Sequence, residues 1–504
     1  MCGKICSERG VDKVKKRILL FHRKGGRKIT FRKILKLTIL GVLALGIVGC
    51  VPQKSGRPEL TWVVPGERCA GFDEVEAQIN KITEEKLGIN LKFEFISQTS
   101  DYSRRVNAKI ESGEKIDLCF TGYLDSYEAK VYDNKLLSLD DLLDKTPELK
   151  SSVPEYLWDG AKIGGKIYAV PNEQICAAST ALVISKELVD KYSFDLSDVR
   201  STYDIEPFLE ILKKNEPDLF PIRINWGTSG FGSMDSNRFT DFNVGGVMII
   251  NENGKITAET IAENAEKKKA VETLHSWYEK GYIRNDIAVA IDSPDDLAAG
   301  KYGVWFESYK PGVEWQRKLL TGNDVYAVQI TKPYLSSSAI RSAMTGISIA
   351  SKYSKEAIKL LELVNTEPEI LNLLTYGTEG KNYIKVSDNV IERTENVFSY
   401  QTWIFGNQFI IYTEKEQDED IWKKTKEINE TSAKSPLIGF NPDTAAITQE
   451  VIKCNEIIGK YTVMDNGTED PSTYWNEFRN ELEKAGIEKI KRELEKQLNE
   501  FSLK

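Results

Sequence analysis

Histidine is nearly absent: His22 and His275 are the only two in 504 residues. A histidine-rich metal centre is excluded. His22 falls in an amino-terminal leader, so a Ser-His-Asp or Cys-His hydrolase would have to be built around His275 alone. His275 lies beside Val271 and Tyr278 in a helical pattern, where the plain expectation is a boundary histidine satisfied by a neighbour. The chain also lacks a G-x-S-x-G elbow, H-E-x-x-H, a P-loop, an EF-hand loop, and a G-x-G-x-x-G after the first strand. Its cysteines form no CxxC pair. Cys69, Cys119, Cys176 and Cys454 match no metal spacing, and buried free thiols are expected of them. Carboxylate pairs exist, as in any acidic protein, but Asp140-Asp141 and Asp295-Asp296 read as helix-start and surface residues, so a two-acid glycosidase lacks positive support. No catalytic residue, metal or cofactor is assigned. The uncharged apolar run over residues 37–53 is seventeen residues, short of the about 20 needed to cross a bilayer core.

Charge is distributed unevenly. Residues 1–36 hold thirteen Lys/Arg and two Asp/Glu, a net of +11 against −8 for the whole chain, which leaves −19 for residues 37–504. So acidic a body is repelled by nucleic acid and by anionic lipid, and nucleic-acid binding is discarded. A basic segment, a short apolar run and small residues at its end are the order of a secretory leader. The run closes on Leu45-Gly46-Ile47-Val48-Gly49-Cys50, which resembles the lipobox of bacterial lipoproteins. That likeness implies a signal peptide over 1–49, diacylglycerol on Cys50, a tether over 50–58, and a protein held at the outer face of the cytoplasmic membrane.

The rest is an α/β pattern long enough for two lobes. Leu60–Val64 is a buried strand ended by Pro65-Gly66. Asp73, with Glu76 three residues on, predicts a capped helix to Gly88. Residues 89–95 alternate as a strand, Ser100 starts a second helix, and Ile116–Thr121 is the next strand. Such spacing predicts right-handed crossovers and a mostly parallel sheet, with ligands beyond the strands' carboxyl ends. Helices are expected over 204–215, 264–281 and 475–501, the last with a core stripe of Phe478, Leu482, Ile490, Leu494, Leu498 and Phe501. Residues 413–427, around Trp422, read as a solvated helix face.

Four stretches carry a resemblance: "GGKIYAVP" (164–171) followed by "ALVISKEL", "GISIASKYSKEAIKLLELVNTEPEILNLLTYGTEGKNY" (346–383), "GFNPDTAAITQEV" (439–451), and the closing helical segment. In this order they resemble the extracellular solute-binding proteins (family 1) that deliver sugars to ABC importers, in a large-lipoprotein subgroup with a C-terminal extension. The likeness implies a two-lobed periplasmic-binding-protein-like α/β fold of the class II type, with a ligand cleft between lobes. Lobe 1 would span 59–172 plus 330–378, and lobe 2 would span 173–329 plus 379–504. It also implies capture of an oligosaccharide, delivery to membrane permease subunits, and action as a monomer. A peptide or other organic solute is the alternative ligand, an exported glycosidase a more distant reading, and a surface adhesion or scaffold protein a third.

Sugar binding needs flat apolar faces for the C–H side of pyranose rings and planar polar groups for hydroxyls. Trp277, Trp315 and Trp475 fall in helical patterns and read as core, Trp158 and Trp422 as surface or lobe packing. Trp226, Trp305 and Trp403 sit in loops or at strand ends and are the cleft candidates, Trp305 where the family places a cleft aromatic. Glu307 and Tyr309 share its rim, and Tyr123 closes the third strand. The resemblance sets Asn172 and Glu173 at the cleft floor.

Overall fold

The computed structural model describes residues 56–98, 101–177, 179–289 and 294–502. The lipobox with Cys50, most of the tether, and Ser100 lie outside them. Strand β1 (Glu59–Pro65) buries every residue after Glu59, as a strand covered on both faces must. It runs parallel to β2 (Asn90–Ile96) and β3 (Leu118–Gly122). Helix Phe72–Leu87 fills the first crossover. Its expected capping box is not used: Gly71 is the N-cap, Asp73 pairs with Arg68, and Glu76 accepts the backbone N–H of Phe93 at 2.8 Å. That carboxylate ties the helix to β2, which satisfies a strand donor as well as a cap would a helix donor.

From β4 (Ala169–Pro171) the chain crosses to a second lobe. There β5 (Ser179–Ser185), β6 (Phe220–Arg223), β7 (Arg238–Val244), β8 (Val247–Glu252), β9 (Lys255–Thr260), β10 (Tyr302–Tyr309) and β11 (Val325–Gln329) follow. It returns through β12 (Tyr334–Leu335) to β13 (Ala343–Ile347). The first lobe's sheet has the order β2-β1-β3-β13-β4, the second's β11-β5-β10-β6. Both sheets are mixed, because β13 runs antiparallel to β3 and β4, and β5 antiparallel to β10 and β11. A separate antiparallel meander, β7-β8-β9, flanks the second lobe.

The cores mark the division. One cluster gathers residues from β1–β4, residues 335–376, and Tyr383, Ile391, Phe398, Ile404, Phe405 and Ile411. Two others hold residues 182–330. Residues 379–411, expected in the second lobe, therefore pack in the first. Phe405 sets its ring edge-on to Trp62 and Phe93, at 5.5 and 6.0 Å, an apolar anchorage that charge patterning does not reveal.

The C-terminal segment builds a further core with the meander, through Phe440, Ile447, Phe478, Leu482, Ile490 and Leu494. Its closing stripe belongs to two helices, Pro471–Ala485 and Ile487–Ser502. The break is Gly486, at φ 99°, a left-handed C-cap that terminates the first helix and lets the second fold back. His275 is satisfied as expected, Nδ1 lying 2.9 Å from the Gly467 carbonyl. Cys119, Cys176 and Cys454 are buried free thiols, and Cys69 is a half-buried one. Residues 57–504 form one compact unit, and among the described residues no helix is long and apolar enough to cross a membrane.

Candidate functional site

A cleft of about 860 Å³ lies between the lobes. Two more open hollows, one of them strongly acidic, sit on the second lobe alone. Of these three, the cleft alone draws on both lobes, and it gathers the most aromatic rings.

The first lobe contributes Tyr123 and Trp403. Tyr123 follows Gly122, whose φ of 151° and Cβ position, 2.0 Å from the Ser342 carbonyl, admit only glycine. The turn beyond is rigid. Thr121 donates to the Asp125 carbonyl at 2.8 Å, and the Asp125 carboxylate meets Lys130 Nζ at 2.8 Å with both side chains buried. Tyr123 is thereby held out into the cleft, 55% exposed, its ring 5.6 Å from that of Trp403. Trp403 is fixed from beneath. Asn172 Nδ2 donates to its carbonyl at 3.0 Å, and Phe120 meets the indole edge-on at 6.0 Å. Beside them Arg393 and Glu414 form a nearly buried two-pronged pair, at 2.7 and 2.9 Å.

The second lobe contributes the end of β10 and helix Val313–Thr321. Glu307 accepts from Arg317 Nη2 and from the Trp305 indole, both at 3.2 Å. Burial pushes its carboxyl up, and the Arg317 charge pulls it back. The helix buries Val313 alone, so Trp315, Gln316, Leu319 and Leu320 are left to the cleft. The lobes meet where Gly312 faces the Ile421 side chain; a Cβ there would lie 2.5 Å from Ile421 Cδ1.

Of the residues picked from sequence, Tyr123, Trp403 and Glu307 line the cleft. Asn172 and Glu173 lie below it, 1% and 2% exposed. Trp305 is 4% exposed and packs on Val183, Leu297, Tyr302 and Val325, so its ring is closed off inside the second lobe. Trp226 stacks on Phe306 at 6.4 Å, and neither it nor the half-buried Tyr309 is among the lining residues. Trp315 and Trp422, set aside as core and surface, do line the cleft, with Tyr400, Gln401 and Gln408. Trp315 carried no sequence signal, since helical spacing is the same for a face turned to a core and one turned to a cleft. Trp422 carried none, because charged neighbours mask the apolar side of helix Ile421–Thr431.

Glu173 is at the first crossing between lobes. Its carbonyl accepts from Gln408 N at 2.8 Å, Lys426 Nζ stands 3.8 Å from Oε1, and no hydrogen bond among the described residues reaches that oxygen. Burial pushes the carboxyl up to about 7, with Lys426 pulling it down and Glu430 pushing it further up. A carboxyl raised above its unfolded value of about 4.3 contributes stability that is complete below that value and lost as pH climbs through the folded one. Glu173→Gln is therefore expected to leave folding stability nearly unchanged at pH 4 and to raise it at pH 8, by up to about 3 kcal/mol, read from denaturation midpoints at the two pH values. Equal gains at the two pH values would remove the carboxyl's charge as the cause.

Two lobes, each a mixed sheet flanked by helices, joined by strand crossings around an aromatic cleft, are the architecture of the two-lobed extracellular solute-binding proteins. The chain is 29% identical, over 484 residues, to a carbohydrate ABC transporter substrate-binding protein of Streptococcus pneumoniae serotype 4, a match covering 91% of this chain and 96% of that one. It is likewise similar to the crystal structure of the N-glycan transport solute binding protein NgtS from Streptococcus pneumoniae, at 28% identity and a TM-score of 0.79, covering 88% and 99% of the two chains. The complex of that protein with Man5GlcNAc matches at 27% and 0.75, over 88% and 98%. An extracellular solute-binding protein from Bifidobacterium longum subsp. infantis, 18% identical at a TM-score of 0.58 over 88% and 99%, shares the fold. Residues 436–502 match a family model described as a domain of unknown function, DUF3502.

Proposed function

We propose that this chain is the substrate-binding lipoprotein of an ABC importer, which captures an oligosaccharide between its lobes and hands it to membrane permease subunits. The observation that carries the reading is the cleft itself: Trp403, Tyr123, Trp315 and Trp422 beside planar amides and fixed ion pairs, drawn from both lobes. Aromatic faces take the C–H side of a pyranose, while Gln401, Gln408 and the Arg317–Glu307 pair suit its hydroxyls. The similarity to an N-glycan transport protein solved with Man5GlcNAc and Man1GlcNAc supports the sugar class. A ligand touching both lobes binds the closed state better than the open one and so draws the lobes together. The chain performs no turnover, acts as a monomer, and is held through lipid on Cys50 at the extracytoplasmic face. Loss of Cys50→Ser protein from the membrane fraction tests the anchor.

The test of function is a thermal-shift screen of the purified protein against mono- and oligosaccharides, Man5GlcNAc among them, with amino acids and short peptides. A ligand at 100 times its Kd stabilises by about 2.7 kcal/mol. A shift with an oligosaccharide series, without hydrolysis, is expected. A shift with peptides alone overturns the sugar class, and products in the sugar wells overturn a pure binding role.

A further inference from the structure

Residues 37–504 carry a net charge of −19, yet the second-lobe wall of the cleft holds a surplus of positive charge. Lys310 follows β10 directly and lines the cleft, half-buried, between Glu307 and the helix that bears Arg317. Among the described residues, no hydrogen bond or ion pair is made by its Nζ. The one carboxylate nearby is engaged twice over: Arg317 Nη2 and the Trp305 indole each hold Glu307 at 3.2 Å, and Arg317 Nε is another 3.2 Å from it. On the opposite wall Arg393 is matched in full by Glu414. Lys310 is thus the cation that the cleft leaves without a counter-ion. Burial and the charge of Arg317 push its ammonium down to about 8, with Glu307 offsetting part of this. Desolvating an ammonium without a partner is costly, and a ligand bearing negative charge would reverse that cost.

We propose that the oligosaccharide received by this cleft carries an acidic substituent, a carboxylate or a sulfate or phosphate ester, and that Lys310, backed by Arg317, selects it. The inference rests on the sugar-binding reading and sharpens it. A charge-assisted hydrogen bond contributes about 1.5–3 kcal/mol, or about 10- to 100-fold in affinity.

The experiment is titration calorimetry on the full chain in detergent, with pairs of N-glycan-type oligosaccharides that differ only in a terminal sialic or uronic acid, or in a sulfate ester. The acidic member of a pair is expected to bind about 10- to 100-fold more tightly than the neutral one. The carboxylate and sulfate arms tell which acid the site takes. Lys310→Met should erase the preference and, by removing the desolvated charge, raise the thermal midpoint of the unliganded protein, while Lys310→Arg should keep the preference. A neutral member that binds as tightly as its acidic partner overturns this inference alone, as does a preference that survives Lys310→Met. Absence of binding by every member overturns the sugar reading and the inference together.

Discussion

Replacing Trp403 by alanine should weaken oligosaccharide binding by about 30- to 1,000-fold, the 2–4 kcal/mol range of a central aromatic anchor. The argument is positional. The indole stands half-exposed between Phe120 and Tyr123, its carbonyl pinned by Asn172, so it offers the ligand a face whose orientation is already fixed. A preordered ring loses little conformational entropy on binding, and the stacking energy is not spent on ordering it. Stability should fall far less than affinity, because the removed ring is only partly inside the core. Trp305→Phe supplies the contrast: its ring is closed off among Val183, Leu297 and Val325. There the affinity should change little, and the loss should appear in the thermal midpoint through the broken bond to Glu307. Calorimetry on both variants decides. A larger affinity loss for Trp305→Phe than for Trp403→Ala would move the sugar platform to the other lobe.

That contrast also shows what the sequence could and could not carry. Strands β1 to β3 and the helices between them were legible because each segment's apolar period is set by one local partner. The mixed sheets were not. The direction of β13 and β5 depends on long connections that leave no periodic trace. The closing stripe of apolar residues was correctly placed on a buried face, but Gly486 divides it between two helices that fold back on each other. At the site, Tyr123 and Trp403 were found because an aromatic at a strand end or in a polar loop has few core partners. Trp305 has the same local signature, yet Leu297 and Val325, distant in sequence or on another strand, close over it. Trp315 failed in the opposite sense, since helical spacing is shared by residues that face a core and residues that face a cleft.

Asn429→Ala should cost about 3–6 kcal/mol of folding stability. Asn429 is fully buried on helix Ile421–Thr431, and its side chain holds the strap that runs between β4 and β5. Its Oδ1 accepts from Cys176 N at 2.8 Å and from Ala177 N at 3.0 Å, while Nδ2 donates to the Gln174 carbonyl at 2.6 Å. Alanine would leave two donors and one acceptor without partners away from water, each costing about 1–3 kcal/mol. The effect has a functional side, because residues 174–176 also line the cleft at the crossing between lobes. Loosening them should raise the ligand's dissociation rate as well as lower the denaturation midpoint. Asn429→Asp, which keeps both amides satisfied but sets a carboxylate against the Gln174 carbonyl, should fall between wild type and alanine. Denaturant titrations of the three proteins, with and without bound oligosaccharide, measure both consequences. A loss below about 1 kcal/mol for Asn429→Ala would mean that water satisfies the strap once the amide is gone, and that the crossing is held elsewhere.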